Sequence, residues 1–168
     1  MNRQRVRASR LPATCLVLSL AFLPSRAPAD DGAHWEILGG RSVTLHSQWA
    51  DALFVERLGE ARALGPIAWM PDVGIGWIDS RSTRAARLDH DVALLALGAR
   101  VPIWRGIFVG EQLGITHGKT DALSSTGEFV STLGWQGGRW VALVRHISNA
   151  DLHTPNHGET MLLAGFAF

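Results

Sequence analysis

After residue 29, apolar and polar positions alternate with a period of two along most of the chain, and clusters of Gly, Asp, Ser, Asn and Pro interrupt the alternation. This is the pattern of strands and turns, not of helices. Eight runs stand out, over residues 35–44, 50–58, 67–78, 91–103, 106–117, 128–136, 139–149 and 160–168. Several match the ~9–11 residues that a tilted strand needs to cross a bilayer, and eight is the smallest even number that closes a membrane barrel. The pattern predicts an all-β protein, one eight-stranded antiparallel transmembrane β-barrel over residues 30–168. No apolar run after residue 29 reaches the roughly 18 residues expected of a spanning helix.

The two faces of each run say which side meets lipid. In the third run Ile67, Trp69, Val73, Ile75 and Trp77 share one face, against Ala68, Asp72, Gly74 and Gly76 on the other. In the fifth, Ile107, Val109, Leu113 and Ile115 oppose Gly106, Gly110, Gln112, Gly114 and Thr116. A soluble barrel buries its large apolar side chains, whereas these faces suit a narrow lumen filled by small and polar groups, with lipid outside. Glu111 breaks the rule, since alternation puts it on the apolar face; a bulge there would turn it inward. The first two runs alternate too poorly for their faces to be assigned. Trp35, Trp69, Trp77, Trp104, Trp135 and Trp140 fall mostly near run ends, where aromatic girdles sit at membrane interfaces.

Composition changes the picture mainly at the amino terminus. Arg3, Arg5, Arg7 and Arg10 precede an apolar stretch over 11–23, and Ala27-Pro28-Ala29 is an A-x-A cleavage site, so residues 1–29 are expected to be a cleavable signal peptide. It carries five of the chain's 16 basic residues and none of its 15 acidic ones; the remainder has a formal net charge of −4, which argues against a nucleic-acid partner. Cys15, the only cysteine, falls inside the leader, so the exported part has no thiol with which to form a disulfide. At the other end Leu162, Ala164, Phe166 and Phe168 form an alternating apolar face closed by a terminal phenylalanine. This resembles the targeting signal of bacterial outer-membrane barrels and implies that location.

Candidate chemistry is concentrated in one segment. From Arg145 the chain reads R-H-I-S-N-A-D-L-H-T-P-N-H-G-E-T. His146 and Ser148, two apart, emerge from one face of a strand, close enough for the imidazole to take the serine proton. They share parity with Trp140, Ala142 and Val144, while Arg139 and Arg145 share the opposite face. Arginine facing lipid near the midplane costs about 2–4 kcal/mol, so the arginines belong in the lumen and the His–Ser pair faces lipid. His153 and His157 have an i, i+4 spacing, but Pro155 between them argues against the helix that would align them on a metal; they read as loop residues. His34, His46, His90 and His117 read as surface or strand-end residues.

This segment, with its H-x-S-N-A motif, Pro-Asn linker, Asn-x-Gly turn, acidic residue and closing strand, resembles the PagL lipid A 3-O-deacylase family of small outer-membrane barrels. The resemblance covers about the last 30 residues. It implies hydrolysis of the ester at position 3 of lipid A, with lipid A or lipopolysaccharide as substrate and no metal or cofactor. It assigns Ser148 as nucleophile, His146 as base and Glu159 as the third catalytic member, with Asn149 near the oxyanion and Asn156 supporting the turn. Some family members hold the glutamate one residue later, where this chain has Thr160, and Asp151 is a rival acid. A non-enzymatic outer-membrane barrel, structural or ligand-binding, and a soluble lipocalin-like carrier are the other readings. A homodimer is compatible with all of them.

Overall fold

Each of the eight runs becomes a strand in the computed structural model, which describes residues 32–83 and 86–168. The proposed leader, with Cys15, lies outside the described residues. The strands are β1 (His34–Thr44), β2 (Trp49–Leu58), β3 (Arg62–Leu64), β4 (Ile67–Ile78), β5 (Val92–Trp104), β6 (Ile107–His117), β7 (Gly127–Gly137), β8 (Trp140–Ser148) and β9 (Glu159–Ala167). β3 is an addition to the sequence reading. Its three residues pair with the start of β4 in a hairpin that projects beyond the ring, and a segment so short has no period to detect.

The other eight strands pair antiparallel with their sequence neighbours, and β1 pairs with β9 to close the ring. Closure leaves no edge with unpaired backbone groups, which is what a lipid environment demands. Connections 45–48, 118–126 and 149–158, with the described residues 79–83 and 86–91, lie at one end. The shorter turns 105–106 and 138–139, and the hairpin of β3, lie at the other. There Trp35 and Phe168 exchange two backbone hydrogen bonds of 2.8 Å, fastening the first strand to the last.

The exterior is the apolar surface. Leu97, Leu113, Ile115, Leu133 and Leu162 are each more than half exposed, and Val73, Ile75 and Val144 stand beside them. Such a belt is stable where lipid solvates it, as on outer-membrane barrels. Exposed Trp35, Trp104, Trp135 and Trp140 ring the end carrying the short turns, and Trp49 and Trp77 mark the loop end.

The lumen is less uniformly polar than the alternation suggested. Its loop-side half is an apolar core of Leu38, Phe54, Ile78, Leu94, Ile147 and Leu163, closed by Leu88, Ala122 and Leu123 from the loops. Toward the other end lies an ionic layer. Arg100 reaches Glu36 at 2.7 and 2.8 Å and Glu56 at 3.2 Å, and Arg145 reaches Glu56 at 2.7 Å. Asp72 stands 3.7 Å from Arg100. The two guanidinium groups also lie over the rings of Phe108 and Phe54. All five charged residues are buried. Burying them is tolerable because each is paired, and removing one partner of such a set typically costs about 3–5 kcal/mol.

Candidate functional site

Strand β8 separates structure from chemistry by alternation alone. Val141, Leu143, Arg145 and Ile147 point inward and are buried, while Trp140, Ala142, Val144 and His146 point outward. Ser148 follows at the loop end of the same outward face, half-buried. The expected outward placement of His146 and Ser148 and the lumenal placement of Arg145 are therefore both found. Arg139 is not in the lumen: it sits exposed in the β7–β8 turn, because the strand begins only at Trp140.

The imidazole of His146 is held by β9. His146 pairs with Thr160, and its Nδ1 lies 2.9 Å from Thr160 Oγ1. Its other edge packs over Gly158, where a Cβ would come within 2.8 Å of Cε1; the φ of +63° at Gly158 also favours glycine. Among the described residues no hydrogen bond joins His146 to Ser148. Catalytic hydrogen bonds are often long or open before a substrate arrives.

Glu159 does not occupy the position that the resemblance assigned to it. It pairs with inward-facing Ile147, so its side chain enters the lumen, where it is buried. Arg81 binds it through two hydrogen bonds of 2.9 and 3.1 Å, and Ser42 Oγ donates to it as well. One residue of register decides this, since a shift of one moves a side chain to the other face. Asp151 is engaged elsewhere too, accepting from Asn156 Nδ2 at 3.2 Å within the loop. The partner of His146 is thus a neutral hydroxyl.

Asn149 and Asn156 shape the loop. Asn149 is buried and donates through Nδ2 to the backbone carbonyl of His153 at 3.0 Å, which commits its amide nitrogen. Asn156 Oδ1 faces the Asn149 backbone N–H at a long 3.5 Å. Ala150 and Asp151 follow with φ of +54° and +62°, a left-handed turn that non-glycine residues adopt only at a cost. Backbone bonds from His157 to Asp121 and from Gly158 to Ala122 strap this loop onto the 118–126 loop.

Several groups escaped the sequence reading. Ser124 Oγ lies 2.9 Å from His153 Nδ1 at the wall of a loop cavity of about 460 Å3 that also takes in Lys119 and Arg87. His157 packs edge-on against His46, His34 joins Glu36 of the ionic layer at 3.3 Å, and His90 meets Asp89. Asp121 accepts from the Arg87 backbone N–H at 2.8 Å, which with the Arg87 guanidinium holds its carboxyl below the usual range. The Ser124–His153, His46–His157 and Arg87–Asp121 contacts join loops distant in sequence, where no local motif announces them, whereas His34–Glu36 and Asp89–His90 are pairs of near neighbours. Glu111 was read as an anomaly that a bulge would turn inward. It faces outward in regular register, opposite Ser131; the irregularity in the β5–β6 pairing falls instead at Pro102/Trp104.

No family model and no curated protein matches the sequence. Among solved structures the fold is similar to Ail, the attachment invasion locus protein of Yersinia pestis, with a TM-score of 0.43 and 11% identity over 81% of this chain and 96% of that one. A likeness at that level carries no information about chemistry.

Proposed function

We propose that the chain is an outer-membrane serine esterase that removes the acyl group at position 3 of lipid A, with Ser148 as nucleophile and His146 as base. The observation that carries this reading is the placement of a serine and a histidine two apart on the lipid-facing side of β8, beside the loop end, where an ester in the outer leaflet would lie. A hydrolytic pair in the wall of a barrel whose lumen is filled meets its substrate sideways, from the bilayer.

In that mechanism His146 carries its proton on Nδ1 and donates it to Thr160 Oγ1, which leaves Nε2 free as the base. Ser148 Oγ attacks the ester carbonyl as Nε2 takes the hydroxyl proton. The bond to the sugar oxygen then breaks, and the imidazolium returns the proton to the departing alkoxide. Water, deprotonated in turn by His146, cuts the acyl-serine to release the fatty acid and restore Ser148. Thr160 orients the ring and can accept from Nδ1–H, but a neutral hydroxyl, which can equally donate, selects the tautomer and stabilises the imidazolium less than a carboxylate would. This predicts a slow enzyme, and one that Thr160→Glu accelerates.

The absence of a carboxylate contact at His146 among the described residues favours a second reading, a non-enzymatic barrel. Mass spectrometry of lipid A from cells with and without the expressed protein separates the two. Loss of one hydroxyacyl mass, abolished in Ser148→Ala, supports the esterase. Unchanged lipid A in cells that hold the folded barrel in the outer membrane rejects it.

A further inference from the structure

At the end with the short turns, which faces the periplasm in outer-membrane barrels, the lumen opens into a cavity of about 700 Å3. Met70, Phe108 and Trp135 give it apolar walls, and buried Arg100 of the ionic layer lies on its inner side. Two exposed arginines, Arg105 and Arg139, stand at the mouth. Both belong to turns whose backbone is held. Gln136 N–H donates to the Gly106 carbonyl at 2.9 Å, tying the β5–β6 turn to the end of β7, and Ala167 N–H donates to the Arg139 carbonyl at 2.8 Å. Gly106 has a φ of +85° and no room for a Cβ against the Gln136 carbonyl, so glycine is what lets the two turns approach.

The cavity carries a surplus of positive charge. None of the side chains that line it is acidic. The carboxylates of the ionic layer are already answered from within. Glu36 accepts from Arg100 through both oxygens, and His34 Nε2 lies 3.3 Å from Glu36 Oε1 while its Nδ1 lies 2.9 Å from the Gly32 carbonyl. A ring that faces an acceptor at each nitrogen donates twice, as an imidazolium. His34, Arg100 and Arg145 thus balance Glu36, Glu56 and Asp72. Arg105 and Arg139 are left over. Among the described residues neither forms an ion pair; Arg105 only stacks on Trp104. The carboxyl group of Phe168, at the same mouth, offsets one of these charges without an ion pair to either. The Trp135 indole N–H and Arg100 Nε also lack an acceptor among the described residues.

We propose that this cavity is a periplasm-facing site for a small amphipathic anion, a phosphate or carboxylate on one apolar chain or ring. The anionic head sits at the mouth, where Arg105, Arg139 and the Trp135 N–H supply donors, and the apolar body runs inward along Met70 and Phe108. An inorganic anion would use the arginines and leave the apolar walls uncovered. The volume falls within the ~300–1,000 Å3 typical of sites for one small molecule, and apolar walls with a few polar groups are their usual composition. The ionic layer closes the inner end, so the ligand enters and leaves on the periplasmic side. The site lies toward the opposite end of the barrel from Ser148 and does not depend on the esterase reading.

The test uses the full barrel in phosphatidylcholine nanodiscs, with octyl phosphate as ligand and octanol and inorganic phosphate as controls. Binding is followed by NMR on the Trp135 indole N–H, assigned with Trp135→Phe. Octyl phosphate should shift this signal saturably, with a dissociation constant at least about tenfold below that of either control, because head and chain both contribute. Arg105→Gln and Arg139→Gln should each weaken octyl phosphate about 5- to 10-fold, and the double variant should be weaker than either. Both side chains are exposed, so a folding defect is not expected, and heat-modifiability checks it. Equal shifts from octyl phosphate and octanol, or unchanged binding in the double variant, would indicate partition into lipid and overturn the site. Inorganic phosphate bound as tightly as octyl phosphate would overturn the amphipathic class. Complete loss of the octyl phosphate shift when phosphatidylglycerol is mixed into the lipid would assign the arginines to inner-leaflet headgroups, which also overturns the proposal.

Discussion

Arg145 and His146 are neighbours in sequence, and the wall of the barrel stands between their side chains. Arg145 points into the lumen, is buried, and meets Glu56 at 2.7 Å and Thr132 Oγ1 at 3.1 Å. His146 points outward, packs over Gly158 and makes one side-chain hydrogen bond, to the Thr160 hydroxyl. The same contrast separates the two populations of polar groups in this protein. Those inside are mostly drawn into ion pairs, two arginines among three carboxylates in the ionic layer and Arg81 with Glu159, because little else can solvate them there. Those outside are only partly satisfied, and polar groups that a lipid-facing wall keeps at a cost in stability are candidates for binding and chemistry. Glu159 and Thr160 repeat the contrast on the next strand, with the carboxylate inside and the hydroxyl outside.

The comparison breaks first at Ser148. Ser148→Ala and His146→Ala should each lower deacylation by about 10⁴-fold or more, and the double variant should be no worse than either one, as for groups that act as a unit. Their heat-modifiability should match the parent. An additive double variant, or a single variant that does not fold, would place these residues among the structural groups.

Next in size comes the lumen. Arg100→Ala leaves Glu36, Glu56 and Asp72 short of a partner and should cost about 3–5 kcal/mol, read as a lower urea midpoint for unfolding from vesicles. Once assembled, that variant should keep the parent's turnover. A barrel unaffected by the loss would show that the ionic layer is hydrated and not structural.

The pair on β9 sharpens the contrast at higher resolution. Glu159→Gln should lower stability through its lost ion pair with Arg81 and leave turnover within about threefold, whereas Thr160→Val should leave stability nearly unchanged and lower turnover about tenfold or more by releasing the imidazole from its orienting hydrogen bond. Measuring both quantities on both variants in detergent decides between lumen and site. Reversed outcomes would restore Glu159 to the catalytic position.

The smallest effect expected is in the loops. Asp121 titrates below its usual value because it accepts from Arg87, so the stability it adds is complete above about pH 4 and is lost as pH falls through the lowered value. Limited proteolysis of the loops should therefore be flat down to mildly acidic pH and rise only below it. The contact is at the surface, so the change should be well under about 1 kcal/mol. A rise beginning near neutral pH would assign the loop link to another group.

The strands were legible because alternation is a local property: β4 was located residue for residue, and the other barrel strands to within a residue or two at each end. The outward face of β8 was equally legible, since Arg145 and His146 alternate to opposite faces and an arginine facing lipid carries a large penalty. The faces of β1 and β2 were hidden because Leu38 and Phe54 fill the lumen as Ile37 and Leu53 meet lipid, which leaves both sides apolar. What the sequence determined alone was therefore the architecture, the apolar exterior and the strand that carries His146 and Ser148. Tertiary structure decided which residues face one another across strands. The β8–β9 register pairs Glu159 with Ile147 and Thr160 with His146, and a single step of it sent Glu159 to Arg81 and brought Thr160 to His146.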